Sequence, residues 1–420
     1  MKIGIIGTGI AGLSAAWLFN RAGHRLTIYE KSLTLGMDAH SMSFVQDGET
    51  LRTDVPPRIF NAAQWPNLLN FYRKVGVAFD PIDASQSFSS FGQPGFLNVN
   101  VANQPQLPAG ADIPEQTDKI MNDIMRLAFE APQDLAEGVS CRLTLAEYLR
   151  SKAYSQEFIY DYLYPTLAST VCTCSYGSID AYPAPIILKT LLNLFGAQPL
   201  LKTKYGTRDV VKRLSQGIND IRYGASVCGV NPTPAGVQVE TKAGQTEIFD
   251  HLIVATQANQ ALDFLNNHFE GECNMLRAFS YEDVRVVVHR DPALMPAQSE
   301  DWAHINLIVA QDRLGTMCSV WMNRFNPDWH VEQPIIQTIN PLIEPQTDTI
   351  ISQYNLQRPV VNVRSLEGLE LLRQLHQQAD RRIWFCGSYA AEGVPLLESA
   401  VISSIGVAHR LSINIQDIMR

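Results

Sequence analysis

The sequence predicts an α/β fold, and three observations in its first thirty residues carry this prediction. Apolar stretches at residues 3–6 and 26–29 have the composition and length of short buried strands. Between them, a glycine-rich turn leads into an apolar, helix-like stretch at residues 13–21. A strand, a turn, a helix and a second strand in this order form a βαβ unit, from which parallel sheets are built.

The turn of this unit has the spacing G-x-G-x-x-G, formed by Gly7, Gly9 and Gly12. The first glycine permits the tight turn, the second lets the backbone approach a pyrophosphate, and the third lets helix and strand pack closely. Ile10 and Ala11 open the helix, whose unpaired N–H groups would face the phosphates. The turn therefore predicts a Rossmann-type dinucleotide site.

Glu30 ends the second strand, eighteen residues after Gly12, where a carboxylate accepts hydrogen bonds from both ribose hydroxyls and disfavours a 2′-phosphate. Two alternatives remain for this region. One is a secretory signal peptide, since residues 3–19 carry no charge and follow Lys2. The glycines would interrupt its apolar core, and no small-residue cleavage site follows. The other is a Rossmann-type unit that binds nothing.

The composition of the 420-residue chain is that of a globular enzyme with two or three domains. Its formal net charge of −9 argues against nucleic acid and anionic membranes as partners. Seven scattered cysteines favour a reducing compartment, so we expect a cytoplasmic protein. Cys172 and Cys174 lack the additional ligands of a zinc site, and we expect no metal. The apolar residues 184–201 include Lys189, so they predict a core helix or a substrate-channel wall rather than a transmembrane segment.

Beyond Glu30, the spacing of Gly36, His40, Ser41 and Asp54 resembles the flavin-dependent amine oxidase superfamily, which includes monoamine and polyamine oxidases and phytoene desaturases. The chain is most similar to a bacterial branch described only as NAD/FAD-binding or amine oxidase-like proteins. In the superfamily, the ribose acid is followed by two glycines and a basic residue, and later by an Asp-Thr-Gly-like turn against the flavin.

Several residues depart from the superfamily pattern, and four of these departures would crowd the flavin. Met37 replaces the second glycine, Asp38 replaces the basic residue, and Val55 begins the replacement of Thr-Gly. In the C-terminal helix, Ser404 stands in place of a glycine. We expect these side chains to crowd the flavin, and Asp38 to bring negative charge near it.

The resemblance implies FAD as the cofactor and two structural units. A discontinuous, Rossmann-type FAD-binding domain would comprise residues 1–75, 204–268 and 360–420. A substrate domain of mixed sheet and helices would comprise residues 76–203 and 269–359.

The resemblance also implies which residues contact FAD: those of the glycine turn, the ribose acid and the loops after it, one later strand, and the C-terminal loop and helix. They are Gly7, Gly9, Ile10, Ala11, Gly12, Glu30, Lys31, Gly36, Met37, His40, Ser41, Pro57, Arg58, Ile59, Val227, Gly387, Ser388, Leu396 and Leu397.

The segment that resembles the bacterial branch most specifically is His289-Arg290-Asp291, followed by Trp302, Asn306, Trp321 and Asn323. It would form a sheet whose inner face covers the flavin. We therefore predict that His289, Trp321 and Tyr389, which are far apart in sequence, converge on one substrate cavity. Arg58 would be the cationic side chain near the flavin, and these four are the predicted catalytic residues. The alternative is that the tryptophans only pack and the polar residues only satisfy turns.

The leading hypothesis is an FAD-dependent oxidoreductase that removes a hydride from a C–N bond of a small or medium, largely apolar molecule. In amine oxidases a lysine near the flavin holds a water, and His40, Arg58 or His289 would replace it here. A second hypothesis is desaturation or isomerisation of an acyl or terpenoid-like chain. A third is a flavin-binding protein without catalysis. The substrate, the electron acceptor and the oligomeric state stay open.

Overall fold

A computed structural model describes residues 1–99, 105–106, 113–195, 199–265 and 267–419 of the chain. The statements below concern these residues.

The strands, in chain order, are β1 (Lys2–Ile6), β2 (Arg25–Tyr29), β3 (Met42–Gln46), β4 (Glu49–Thr53), β5 (Phe79–Pro81), β6 (Gln86–Ser90), β7 (Gly95–Val99), β8 (Pro105–Gln106), β9 (Leu201–Thr203), β10 (Ile221–Arg222), β11 (Val227–Thr233), β12 (Gly236–Thr241), β13 (Thr246–Phe249), β14 (His251–Val254), β15 (Ser280–His289), β16 (Ile305–Val309), β17 (Thr316–Trp321), β18 (Ile336–Ile339), β19 (Ile350–Val360) and β20 (Ile383–Phe385).

The helices are α1 (Ile10–Arg21), α2 (Pro66–Lys74), α3 (Glu115–Glu137), α4 (Leu145–Ser151), α5 (Tyr164–Thr166), α6 (Tyr176–Asp180), α7 (Ala184–Phe195), α8 (Gly206–Leu214), α9 (Ala258–Ala261), α10 (Glu270–Leu276), α11 (Met322–Phe325), α12 (Val363–Leu375), α13 (Leu397–Arg410) and α14 (Ile415–Met419).

The first sheet is parallel and has the strand order β10-β2-β1-β14-β20. Its central strands are near-continuous apolar runs, as expected for strands covered on both faces. Helices α1 and α13 pack against each other beside it, and Ile3, Ile5 and Leu13 are completely buried. This confirms the predicted α/β fold with a Rossmann-type βαβ unit. In such sheets, ligands bind beyond the carboxyl ends of the strands.

The second large sheet has the order β19-β15-β18-β17-β16-β6-β7-β8 and is antiparallel except for the β16–β6 pair. Helices α3 to α7 contribute to the apolar cluster that covers one of its faces. The two sheets draw their strands from the two sets of segments that the sequence analysis assigned to a cofactor domain and a substrate domain. The domain boundaries themselves stay a prediction.

The region from α4 to residue 171 combines short α-helices with wider π-helical turns. A capping box of Thr144 and Glu147 starts α4 with reciprocal side-chain to backbone bonds. This helix ends at Ser151, and Ala153 after it adopts a left-handed conformation with φ of 50°. Wide π-helical turns at Phe158–Leu163 and Leu167–Val171 then flank α5.

The apolar stretch at residues 184–201 begins with α7. Residues 196–198 of this stretch lie outside the described part of the chain. Leu191 and Leu194 of α7 line the large cavity described below, so this helix provides part of its wall. No helix in the described residues combines the length and apolarity needed to cross a bilayer.

The eight-stranded sheet makes specific polar contacts with β4 and the residue that follows it. The Gln337 amide on β18 donates to Thr53 Oγ1 at 2.7 Å and to the Asp54 carbonyl at 2.9 Å. These bonds hold the eight-stranded sheet against the chain segment that follows β4.

Candidate functional site

A large cavity of about 1260 Å³ lies between the carboxyl edge of the parallel sheet and the eight-stranded sheet. Its wall includes Gly7 and Gly9 from the glycine turn, and Val284, Val286 and Ile305 from the second sheet. Pockets for one small molecule usually measure about 300–1,000 Å³. The volume is therefore large enough for a cofactor and a substrate together.

The three glycines of the turn serve three different purposes. Gly7 has φ of +98°, which other residues rarely adopt. A Cβ atom on Gly12 would lie 2.0 Å from the Gly7 carbonyl oxygen, so this position permits the close approach of helix and strand. A Cβ atom on Gly9 would have no neighbour within 4 Å and would point into open space. This is the position at which the turn leaves room for a ligand.

The N-terminus of α1 has no side-chain cap and no acidic residue in its first turn. Its free N–H groups and the positive end of the helix dipole are thus available to an anion. Together with the open space at Gly9, this arrangement fits the pyrophosphate of a dinucleotide.

Glu30 lies at the carboxyl end of β2 and is 5% exposed. Its carboxylate accepts hydrogen bonds from the N–H groups of Thr8 (3.1 Å) and Ser32 (2.8 Å) and from the Thr8 hydroxyl. These bonds fix the carboxylate in the cavity wall beside the glycine turn. The position suits the ribose contact that the sequence predicts for Glu30.

The loop after Glu30 approaches the turn closely. The Gly36 N–H donates to Thr8 Oγ1 at 2.6 Å, and a Cβ atom on Gly36 would lie 3.1 Å from the Thr8 carbonyl carbon. Met37 and Val55 line the cavity, as the expectation of crowding requires.

The expectations for Asp38 and Ser404 are wrong. The Asp38 carboxylate pairs with Arg52 and, at 3.4 Å, with Arg208, and it does not line the cavity. Ser404 is buried between α13 and α1, where its hydroxyl donates to the Ala11 carbonyl at 2.8 Å. Neither side chain crowds a ligand in the cavity.

Most of the residues predicted to contact FAD line the cavity. They are Gly7, Gly9, Glu30, Lys31, Gly36, Met37, His40, Pro57, Arg58, Ile59, Val227, Leu396 and Leu397. These residues come from all three predicted cofactor segments. The fold therefore brings segments that are far apart in sequence to one cavity.

Other predicted FAD contacts do not line the cavity: Ile10, Ala11, Gly12, Ser41, Gly387 and Ser388. The first three are buried within α1, so only their backbone could act through the helix N-terminus. The Ser41 hydroxyl donates to Asp54, and the Gly387 N–H donates to Ser403 Oγ at 3.0 Å. Ser388 lines a separate small crevice.

Tyr389 does not reach the cavity either. It lines the same small crevice as Ser388 and packs against Phe279, with ring centroids 4.8 Å apart. Its buried hydroxyl has no hydrogen-bond partner, and burial raises its pKa well above the usual value. The loop after β20 turns this side chain into the core instead of towards the ligand.

His289 and Trp321 lie on the face of the eight-stranded sheet that points away from the cavity. Side chains alternate along a strand, and the cavity face carries Val286 of β15, Cys318 and Val320 of β17, and others of the same phase. His289 and Trp321 have the opposite phase. The predicted convergence of His289, Trp321 and Tyr389 on one cavity is therefore wrong, and of the four predicted catalytic residues only Arg58 lines it.

The opposite face instead carries a buried row of polar side chains across five strands, which we call the polar row: Ser87, Asn306, Ser319, Thr338 and His289. Ser87 donates to Asn306 Oδ1 (2.8 Å), and the Asn306 amide donates to the Ser319 carbonyl (2.9 Å). The hydroxyls of Ser319 and Thr338 are 2.8 Å apart.

His289 lies at the end of the polar row, and both nitrogens of its imidazole form hydrogen bonds within the protein. Its Nδ1 accepts the Asp291 N–H at 3.1 Å, so the proton lies on Nε2, which donates to Thr338 Oγ1 at 2.8 Å. Burial lowers its pKa to about 4. It is a neutral structural residue. Trp302 and Asn323 are also structural, since the first packs edge-to-face on Trp321 and donates to the Pro296 carbonyl.

The part of the cavity under the eight-stranded sheet is an apolar chamber. Its wall includes the side chains of Leu191, Val284, Val320, Phe325, Ile339 and Leu356. Cys318 also lies here, and burial raises the pKa of its thiol to about 12, so the thiol stays protonated at neutral pH. The chamber offers apolar contact rather than a nucleophile.

Two guanidinium groups enter this cavity, those of Arg58 and Arg358. Arg58 is fixed by the Thr207 hydroxyl and approaches the Met37 carbonyl at 3.5 Å. Burial, with additional effects from Arg58 and Lys31, lowers the pKa of His40, so this imidazole is neutral at pH 7. Arg358 was not predicted, although its alternation with Leu356 along β19 could have indicated it.

Residues 5–75 match the model of the family described as NAD(P)-binding Rossmann-like domain. A putrescine oxidase variant superposes with a TM-score of 0.68 at 13% identity, over 98% of this chain and 98% of that one. The chain has the fold of flavin-dependent amine oxidases. This confirms the predicted resemblance at the level of the fold.

Two other solved structures share this amine oxidase-like fold. The CLA-producing fatty acid isomerase from P. acnes has a TM-score of 0.68 and 16% identity, over 97% of this chain and 98% of that one. A protein from Exiguobacterium sp. 255-15, described as a candidate protoporphyrinogen oxidase, has a TM-score of 0.64 and 16% identity, over 99% of both chains. The fold thus accommodates different chemistries, and the residues of the cavity must decide between them.

No group of acidic, histidine and cysteine side chains in the described residues could hold a metal ion. Cys172 and Cys174 are both free and buried. A hydrogen bond with Cys172, and then burial, raises the pKa of Cys174, so that thiol is also protonated.

Proposed function

We propose that this protein is an FAD-dependent oxidoreductase that removes a hydride from a small or medium, largely apolar substrate. One observation supports this proposal above all. A single cavity extends from the glycine turn and Glu30 into an apolar chamber under the second sheet. When bound, FAD would supply the hydride acceptor.

The residues of the chain have separate tasks in this proposal. The first turn of α1 and the open space at Gly9 hold the pyrophosphate, and Glu30 holds the ribose. The chamber residues exclude water and orient the substrate through apolar contact. Arg58 and the neutral His40 are the candidates for holding a water or a polar substrate atom at the junction of the two regions.

Two classes of bond remain candidates. Oxidation of a C–N bond requires binding of an amine, which is cationic at neutral pH unless it loses a proton. The acids that line the cavity are Glu30, beside the glycine turn, and Asp263 and Asp283, which are both exposed. The buried chamber faces guanidinium groups. This distribution favours the second candidate, dehydrogenation or isomerisation of an acyl-like chain.

The test is an anaerobic reduction experiment. The protein is purified, loaded with FAD, and mixed with a panel of alkyl amines and a panel of saturated and unsaturated aliphatic acids, while the visible flavin spectrum is recorded. Loss of the oxidised flavin bands with an amine supports C–N oxidation, and loss with an aliphatic acid supports C–C dehydrogenation. Because an isomerase need not leave the flavin reduced, products are also analysed for shifted double bonds. Failure to bind FAD would refute the proposal.

A further inference from the structure

Among the residues that the structure describes, no carboxylate forms an ion pair with Arg358, which lies in a largely apolar wall. It lies on β19, two residues after Leu356, and both line the cavity. Its Nε is buried and has no hydrogen-bond partner. The second guanidinium, Arg58, adds a like charge nearby, and both this charge and burial disfavour the charged form of Arg358. Arginine nonetheless stays protonated in proteins, so the positive charge persists.

The strand register supplies an obvious partner, but that partner is engaged elsewhere. Glu282 on β15 stands directly opposite Arg358 on β19, where oppositely charged residues usually pair. The Glu282 carboxylate instead accepts hydrogen bonds from the Ser175 N–H (2.7 Å), the Ser175 hydroxyl (2.9 Å) and the Ser178 hydroxyl. The Glu282 carboxylate thereby caps the start of α6 and does not pair with the Arg358 guanidinium, which lines the cavity.

The other neighbours of Arg358 do not neutralise it. They include the phenol of Tyr182 and the thiols of Cys172 and Cys174. Burial raises the pKa of Tyr182 far above its ordinary value, and the pKa of Cys174 is raised as well. A phenol and a thiol that stay protonated at neutral pH carry no negative charge. A buried charge that lacks a partner is costly, so a ligand that supplies one gains the corresponding interaction.

We propose that Arg358 binds the carboxylate of an aliphatic acid whose hydrocarbon chain occupies the apolar chamber. A guanidinium can donate two parallel hydrogen bonds to a carboxylate, which an amine or an alcohol cannot accept in this way. This inference rests on the proposed function for the reaction, but it concerns only how the substrate is held. It narrows the substrate class to medium-chain aliphatic acids.

The test compares ligands that share one chain and differ at the head: decanoate, decan-1-ol, decylamine and decyl phosphate. Their binding to the FAD-loaded protein is measured by isothermal titration calorimetry. We expect decanoate to bind more tightly than decan-1-ol. In Arg358→Met, decanoate should bind about ten- to a hundredfold more weakly while decan-1-ol is unaffected, since charge-assisted hydrogen bonds are lost. Arg358→Lys should retain part of the preference.

Arg285→Met is the matched control, because Arg285 lies on the neighbouring strand and is already paired with Glu344. It should bind all four ligands like the unaltered protein. Equal binding of decanoate and decan-1-ol by the unaltered protein would overturn the inference, and this result needs no variant. Tighter binding of decylamine, or of decyl phosphate, would also overturn it, in favour of an amine or a phosphate head.

The two proposals fail in different measurements. A protein that prefers decanoate through Arg358 but holds no flavin would refute the proposed function and leave the carboxylate site. A protein that is FAD-loaded and reducible, but shows no preference for decanoate, would refute the carboxylate site alone.

Discussion

Gly9 and Gly12 belong to one motif, yet the structure predicts opposite consequences when each is substituted. In Gly9→Val the new side chain extends into the cavity, and the backbone at Gly9 (φ −63°, ψ 178°) is extended and suits a β-branched residue. The fold should tolerate it. We expect the apo protein to keep its thermal stability within roughly 2 °C, but to lose nearly all of its FAD.

Gly12→Ala should instead damage the fold. Its Cβ would lie 2.0 Å from the Gly7 carbonyl oxygen, where ordinary contacts begin at 3.4 Å. Overpacking costs up to about 3 kcal/mol. Alanine regains about 1 kcal/mol over glycine in a helix. The net loss of about 2 kcal/mol corresponds to a Tm lower by roughly 4–8 °C.

The assay measures two quantities for each variant: the flavin absorbance per protein after purification, and the Tm of the FAD-free protein. Separate measurement matters, because loss of a bound ligand lowers the apparent stability by itself. A Gly9→Val protein that keeps its flavin, or a Gly12→Ala protein as stable as the unaltered chain, would refute the reasoning from the turn geometry.

Three further predictions concern Glu30, Tyr389 and His289. Glu30→Ala should weaken FAD binding, measured by titration of the apo protein, by about 1.5–3 kcal/mol for each charged hydrogen bond that is lost; unchanged affinity would exclude the ribose contact. Tyr389→Phe should leave FAD binding, turnover and Tm unchanged, because the hydroxyl has no partner and faces no ligand; a drop in turnover would restore Tyr389 to the site. The pKa of His289 is about 4 in the folded state, below the unfolded value near 6.5, so the unfolded chain takes up its proton first. Stability should therefore fall by up to about 3 kcal/mol as the pH drops from 6.5 to 4, and His289→Gln, compared by Tm across this range, should reduce the fall.

The sequence allowed the cofactor half of the cavity to be predicted more successfully than the substrate half, for a physical reason. A glycine turn and a strand-end acid are local features, since the geometry of a βαβ unit fixes where they lie. The face on which His289 lies depends on the phase of β15, and the sequence does not reveal that phase because Val286, Val287 and Val288 are buried on both faces of the strand.

Arg358 was missed for a related reason. An arginine in an alternating strand is usually a solvated residue, and the sequence does not show that its cross-strand neighbour Glu282 is bound by a distant helix start. Tyr389 was misplaced because the turn after β20, and not the end of the strand, decides its direction. These are tertiary effects that a local pattern does not contain.

The polar row has a consequence for how the eight-stranded sheet assembles. If one of the five strands that carry the row paired one residue out of step, its polar side chain, such as that of Asn306 or Thr338, would enter the apolar chamber, and the side chain of a neighbouring residue would take its place in the row. A slip by one residue in such a strand would thus bury a hydrogen-bonding group without a partner in an apolar environment. The row therefore favours the correct alignment of strands that are far apart in sequence, in a sheet whose other face lines the ligand cavity.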